Sequence, residues 1–181
     1  LLHRNTRSNS QKNIHAHYDL GNAFYELWLD GTMNYSSALF ESPQTPMQQA
    51  QRAKVARALR MTDVKAGDRV LEIGCGWGAL AEMASVEFGA SLVGVTLSTE
   101  QLAWARARME RCGVAERVDL RLLDYRDIGR ASAADGQFDA ICSIEMIEAV
   151  GREYWPTYFS AVARVLKPGG TIVEGTAGNT G

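Results

Sequence analysis

The sequence predicts an α/β domain built on a mostly parallel, doubly wound sheet, and three observations carry that prediction. From Val70 onward, short apolar runs alternate with helical patterns, the signature of a parallel sheet with crossover helices. The first run, Val70-Leu71-Glu72-Ile73, leads into Gly74-Cys75-Gly76-Trp77-Gly78, three glycines spaced G-x-G-x-G that open into a helix. With 181 residues, 46% of them hydrophobic, the chain is long enough for one domain whose sheet is covered on both sides.

Strand one is expected at about 69–73, introduced by the turn-forming Lys65-Ala66-Gly67-Asp68. Its helix runs from Ala79 to about Phe88 and stops at Gly89, a residue suited to a left-handed cap. Strand two is Ser91 to Val95. Ser98 then stands as N-cap of a helix reaching about Cys112, with Gln101 at the third position of a capping box. Strand three covers Val118 to Leu123, followed by Asp124-Tyr125-Arg126-Asp127 and a small-residue loop from Gly129 to Gly136. Strand four is Phe138 to Ile144. The next helix spans Tyr154 to Leu166, with Pro156 near its start where the missing N–H costs little, and Lys167-Pro168-Gly169-Gly170 ends it before strand five, Thr171 to Glu174. Only a small polar tail remains after that, so the sheet reads as truncated at its C-terminus.

Ligands in such sheets lie outside the carboxyl ends of the strands, at the switch point. Four segments should therefore converge: Gly74 to Gly78, Thr96 to Gln101, Asp124-Tyr125, and Ile144 to Gly151. The glycines let the main chain turn sharply and let a ligand lie where a Cβ would collide. A dinucleotide loop would read G-x-G-x-x-G, with its acid about twenty residues later. Here the spacing is shorter, and the acid, Glu72, sits at the end of the strand before the loop. A carboxylate there faces a cation well and a pyrophosphate badly, which points to the methionine ammonium of S-adenosylmethionine. A glycine-rich turn with no ligand is the plainer alternative.

A formal charge of −2 argues against nucleic acid as a partner. Arg52, Lys54, Arg57 and Arg60, and again Arg106, Arg108 and Arg111, read as solvated helix faces. Cys75, Cys112 and Cys142 have no metal-ligand spacing and read as reduced cytosolic thiols. His15 and His17, two apart, make a poor metal pair, so no metal site is expected. No apolar run reaches the ~18 residues of a membrane span and there is no signal peptide, which suggests a cytoplasmic protein, soluble or peripheral on the inner membrane face.

Ahead of the glycine loop lie Asn13-Ile14-His15-Ala16-His17-Tyr18-Asp19-Leu20-Gly21-Asn22-Ala23-Phe24-Tyr25 and Thr32-Met33-Asn34-Tyr35-Ser36-Ser37-Ala38-Leu39-Phe40. Together with Gly94-Val95-Thr96-Leu97-Ser98, Asp124-Tyr125 and Ser143-Ile144-Glu145-Met146-Ile147-Glu148-Ala149-Val150-Gly151, these segments closely resemble the cyclopropane-fatty-acid synthase family over residues 12–174. The resemblance implies a Rossmann-like S-adenosylmethionine-dependent methyltransferase, with residues 1–62 as a helical, cofactor-covering segment and 63–181 as the cofactor-binding domain. It implies methyl transfer to the cis double bond of an unsaturated phospholipid acyl chain at a membrane surface. In the family the methylated cation then loses a proton to bound bicarbonate and closes to a cyclopropane, whereas variants leave a methyl or methylene branch.

The resemblance also implies roles. Tyr35 and Ser36 would cover the methionine part of the cofactor, and Glu72, Gly74, Gly76 and Gly78 would form the floor, although Gly78 can equally serve close helix packing. Thr96, Leu97 and Gln101 would serve the cofactor in place of the ribose-holding acid common in this fold. Asp124 would accept from the adenine amino group, with Tyr125 against the ring. Glu148 would help hold bicarbonate, with backbone at Ile144 contributing and Glu145 as a surface neighbour; a carboxylate in the apolar run around it is costly without a partner. Ser37 stands where members commonly carry Cys, Ala149 where they carry His, and Glu174-Gly175-Thr176 where a further His follows, so methyl addition is a firmer expectation than ring closure. Tyr18, Phe24, Tyr25 and Trp28 could face a developing cation, but positions 24, 27 and 28 more simply form a helix packing stripe. The acceptor alternatives are a small amine or metabolite, or no acceptor at all in a silent cofactor-binding chain.

Overall fold

The strands β1 (Arg69–Ile73), β2 (Ser91–Thr96), β3 (Val118–Leu122), β4 (Phe138–Ile144) and β5 (Leu166–Gly175) form one sheet in the order β3-β2-β1-β4-β5, and every pairing is parallel. The chain walks outward from β1 to β3 and then returns to the other side of β1. This reversal opens a crevice at the carboxyl ends of β1 and β4. The structure is a computed structural model that describes residues 21–130 and 136–175. His15, His17, Tyr18, most of the 129–136 loop and the tail after Gly175 lie outside the described residues.

Period-two alternation along β1 sends Val70 into one apolar cluster and Leu71 and Ile73 into another. The first cluster is covered by α2 (Met47–Met61), α3 (Ala79–Val86) and α4 (Thr99–Arg111), through Leu59, Leu80, Ala105 and Met109. The second is covered by α6 (Trp155–Val165), through Tyr158, Ala161, Val162 and Val165, with the single turn α5 (Ile147–Val150) above it. The strand residues of β1, β2 and β4 are almost all buried, as expected of central strands in a parallel sheet.

The element boundaries depart from the sequence reading in instructive places. Helix α3 ends at Val86, two residues earlier than expected, while Gly89 takes φ +69° and the Ala90 N–H reaches back to the Ala84 carbonyl at 3.0 Å, so the chain leaves the helix through a left-handed glycine. Strand β5 begins at Leu166, opposite Phe138, and only then does Thr171 pair with Ala140. Residues 167–170 therefore bulge out of the strand instead of preceding it. A Cβ on Gly170 would stand 2.9 Å from the Asp139 carbonyl oxygen, so only glycine closes that bulge.

Two expectations about the N-terminal part are corrected. The helix α1 (Gly21–Glu26) is only six residues long, so positions 27 and 28 fall beyond it. Leu27 and Trp28 are exposed, and the buried ring is Tyr25, 5.1 Å from Trp77. Nor is Arg108 on a solvated face. Its guanidinium is buried and donates to the carbonyls of Gly31 (2.5 Å), Thr32 (2.9 Å) and Trp77 (3.1 Å), with Glu82 alongside at 3.4 Å. It fastens the segment before α2 to the glycine loop, a long-range role that helical periodicity does not reveal.

Candidate functional site

The side of β1 that carries Val70 also carries Glu72, one step from the strand's carboxyl end, where α2 and α3 no longer close over the sheet. Glu72 is 6% exposed, and its Oε2 has no hydrogen-bond partner. Burial pushes its carboxyl well above the ordinary range, and the charge of Glu72 adds to burial in raising the thiols of Cys75 and Cys142. Glu72 opens onto a cavity of about 430 Å³, within the ~300–1,000 Å³ typical of small-molecule sites.

The glycine loop forms one wall, and its three glycines do different work. Gly74 takes φ +81°, and a Cβ there would meet the Met146 sulfur at 2.6 Å. Gly76 takes φ +51° with nothing within 4 Å of its would-be Cβ, and both residues line the cavity. Gly78, expected on the floor of the site, does not line it: a Cβ there would meet Ala105 at 3.0 Å and Met109 at 3.3 Å. Its missing side chain lets α4 approach the loop, which is the packing alternative.

At the end of β2, Thr96, Leu97 and Gln101 line the cavity as expected. The capping box is only half made. The Ser98 hydroxyl accepts from the Gln101 N–H at 3.2 Å, but the Gln101 side chain takes the Thr96 hydroxyl at 3.1 Å, and Thr96 itself accepts from the Ser98 N–H at 3.1 Å. Thr96 thus replaces Gln101 in the cap. The amide nitrogen is then what Gln101 can offer a ligand. Beyond β3, Asp124 and Tyr125 also line the cavity. Asp124 accepts from the Arg126 N–H at 2.9 Å and pairs with the Arg126 guanidinium at 3.1 Å, so it is held in place while keeping lone pairs to accept more. Tyr125 is buried edge-on to Tyr158, centroids 5.3 Å apart, and its hydroxyl has no partner.

Tyr35 and Ser36 come down from the N-terminal segment onto the same cavity. Tyr35 stands edge-on to Trp77, 6.1 Å between centroids. Gln51 on α2 donates to the carbonyls of Ser36 (2.7 Å) and Asn34 (3.3 Å). One turn along, Lys54 donates to the Ser36 hydroxyl at 2.6 Å and itself faces the cavity. Sequence reasoning missed Lys54 and Gln51 because a basic helix pattern looks like a solvated face. The signal available was their i, i+3 spacing, which puts them on one side of the helix.

The far wall differs from expectation. Ile144, Glu145, Met146 and Ala149 line the cavity, but Glu148 and Ser37 do not and are exposed. Glu145, expected as a surface neighbour, faces the site instead and holds φ +61°, a strained value for a side-chain-bearing residue. Its N–H bonds the Gly175 carbonyl at 2.6 Å, which fixes the bend. Glu148, on the following α5, is exposed, and a solvated carboxylate needs no partner. The half-buried acid of this end is Glu174, which is hydrogen-bonded by Tyr158; burial raises its carboxyl, and the charge of Glu148 raises it further. Phe24, Tyr25 and Trp28 are not among the lining residues. Among the described residues no helix is long and apolar enough to cross a membrane, and no group of three potential ligands gathers for a metal ion.

The donor set fits S-adenosylmethionine. A buried carboxylate with an orphaned oxygen asks for a cation, the bare main chain at Gly76 leaves room for a flat, close ligand, and an aromatic with an acceptor, Tyr125 with Asp124, suits an adenine ring. A family model described as mycolic acid cyclopropane synthetase matches residues 5–180. The chain is 42% identical over 174 residues to a tuberculostearic acid methyltransferase of Mycobacterium tuberculosis, covering 92% of this chain and 39% of the relative. It is 40% identical over 163 residues to the cyclopropane-fatty-acyl-phospholipid synthase of Escherichia coli, covering 90% of this chain and 40% of that one. The chain therefore spans about two fifths of the length of these curated relatives. Among solved structures, a mycolic acid cyclopropane synthase complexed with SAH and CTAB superposes with a TM-score of 0.81 at 31% identity, over 91% of this chain and 55% of that chain.

Proposed function

The chain belongs to the mycolic acid cyclopropane synthetase family, and from that premise we propose that it carries the cofactor half of an S-adenosylmethionine-dependent lipid methyltransferase. The acceptor is the cis double bond of an unsaturated phospholipid acyl chain, met at a membrane surface from the cytoplasmic side, and the product is a cyclopropane or a methyl- or methylene-branched fatty acid. The observation that carries this reading is the unpartnered, fully buried carboxylate of Glu72 beside an open glycine backbone.

When bound, S-adenosylmethionine supplies an electrophilic methyl group on its sulfonium. The residues of this chain hold and aim it. Glu72 meets the ammonium of the methionine end, and Gly76 lets that end lie against the main chain. Asp124 and Tyr125 hold the adenine, while Gln101 offers its amide nitrogen between them. Ile144 and Met146 give the far wall an apolar face for the acceptor, and aligning the acceptor with the methyl group does the catalytic work. Glu148 and Ser37 belong to the acceptor side, where bicarbonate would be held if the ring closes.

Incubating the intact protein with methyl-labelled S-adenosylmethionine and mixed phospholipids tests the reading. Label in the acyl chains is the expected result. Label in a soluble product would replace the lipid with a small amine or metabolite, and tight cofactor binding with no transfer would mark a silent cofactor binder.

A further inference from the structure

We propose that Lys54 is the counter-charge for the carboxylate of the bound cofactor's methionine end, so that Glu72 and Lys54 together read both charges of one amino-acid group. The inference rests on the cavity being an S-adenosylmethionine site. That ligand carries an ammonium and a carboxylate on the same carbon, and a site that meets only the first leaves the second buried without a cation. Among the described residues two cations line the cavity, Lys54 and Arg126. Arg126 is taken by Asp124 at 3.1 Å, on the adenine side. Lys54 donates to the Ser36 hydroxyl at 2.6 Å and shares the cavity lining with Tyr35 and Glu72.

Lys54 is built into the cavity wall. Gln51 and Lys54, a turn apart on α2, hold the Asn34–Ser36 strap by three hydrogen bonds, of which the one from Lys54 ends on a neutral hydroxyl. Among the described residues no carboxylate pairs with the ammonium at contact distance. Burial lowers its pKa to about 8, while Glu145 and Asp30 act on it from farther off to hold it up. An ammonium kept in a half-buried wall without an anion is poised to take one from a ligand. Because Lys54 comes from α2 and Glu72 from β1, the same contact would tie the N-terminal segment to the sheet when cofactor binds.

Calorimetric titration of the intact protein with S-adenosylmethionine and with its decarboxylated analogue, which keeps the sulfonium and the ammonium, isolates the carboxylate. The wild type should prefer the carboxylate-bearing ligand by roughly tenfold or more. Lys54→Met should erase that preference while leaving the analogue's affinity nearly unchanged, and Lys54→Arg should keep it. A preference that survives Lys54→Met overturns the proposal. If Lys54→Met binds neither ligand, pH decides: the wild-type preference should fall more steeply above about pH 8, as Lys54 loses its proton, than that of Lys54→Arg, which shares every other titration, the ligand's own amine included. The carboxylates of Glu145 and Asp30, which act on Lys54, and of Glu72 in the same cavity, are common to both proteins and cancel in the comparison. Equal pH profiles in both proteins overturn the proposal. A wild type that binds neither ligand overturns the cofactor reading itself.

Discussion

The two halves of the crevice are built differently. At the ends of β1 and β2, the groups that face the cavity are buried and fixed by strand register or by hydrogen bonds within the fold: Glu72, Thr96 and Gln101 are each less than 7% exposed. At the ends of β4 and β5, the wall bends through a left-handed Glu145, and Glu148 stands exposed. The first half is preorganised for a ligand of fixed shape. The second is an open wall, the side on which the acceptor proposed above would lie. Preorganisation has a cost in the ligand-free state, and that cost makes the difference measurable.

The largest effect should come from Glu72→Gln. Removing the charge opposite a buried ammonium should weaken S-adenosylmethionine binding by about 2–5 kcal/mol, read by titration. Without ligand the same change should help, because it removes a buried carboxylate with no partner. The sign of the pH dependence follows. Its folded pKa is raised above the ordinary 4.5, so its contribution to stability is fully present below that value and is lost as pH rises through the folded pKa. The ligand-free wild type should therefore melt at progressively lower temperature over that window. Glu72→Gln should flatten the slope, and an unchanged slope would remove Glu72 as its source.

The glycine loop sharpens the comparison within a single turn. Gly78→Ala forces a Cβ against Ala105 and Met109 at a positive φ, and should cost about 1–3 kcal/mol of stability. Gly76→Ala meets no protein atom; it should cost only about 1 kcal/mol in backbone strain yet lower cofactor affinity strongly, because its Cβ enters the ligand's space. Chemical denaturation and titration of both variants would separate them. Equal losses of affinity would mean that Gly78 also touches the ligand.

This loop also shows how far the sequence could be read. Strands β1 and β4 appear with their expected bounds, because apolar runs between turn residues have few other ways to be buried. That the segments after β1, β2 and β3 meet on one cavity follows from topology alone, since a parallel sheet brings strand ends together. What was hidden depended on single backbone angles and on long-range contacts. Glu145 and Glu148 exchange places because one residue takes φ +61°, and nothing in a Ser-Ile-Glu-Met-Ile-Glu pattern announces it. Arg108 and Lys54 look like surface cations until Gly31, Thr32 and Ser36 are brought against them.

Glu145→Gly tests whether that bend is held for function. Glycine takes φ +61° without steric penalty but loses more entropy on folding, so stability should hold or rise by up to about 1 kcal/mol. If Glu145 shapes the acceptor wall, methyl transfer should fall while cofactor affinity stays. A fall in stability instead would show that its side chain anchors the fold.

The smallest expected effect belongs to Glu148→Gln. The side chain is exposed and outside the cavity lining, so stability should change by less than about 0.5 kcal/mol and cofactor affinity not at all. Its carboxylate is close enough to Glu174 to raise that group, so the variant should also let Glu174 ionise at slightly lower pH. Product formation is where the two halves of the crevice part. If bicarbonate is held on the acceptor side, the variant should release less cyclopropane and proportionally more methyl-branched or unconverted lipid, read by mass spectrometry of the acyl chains. An unaltered product spectrum would confine the chemistry of this chain to the β1–β2 half and leave the open wall as a surface for the acyl chain alone.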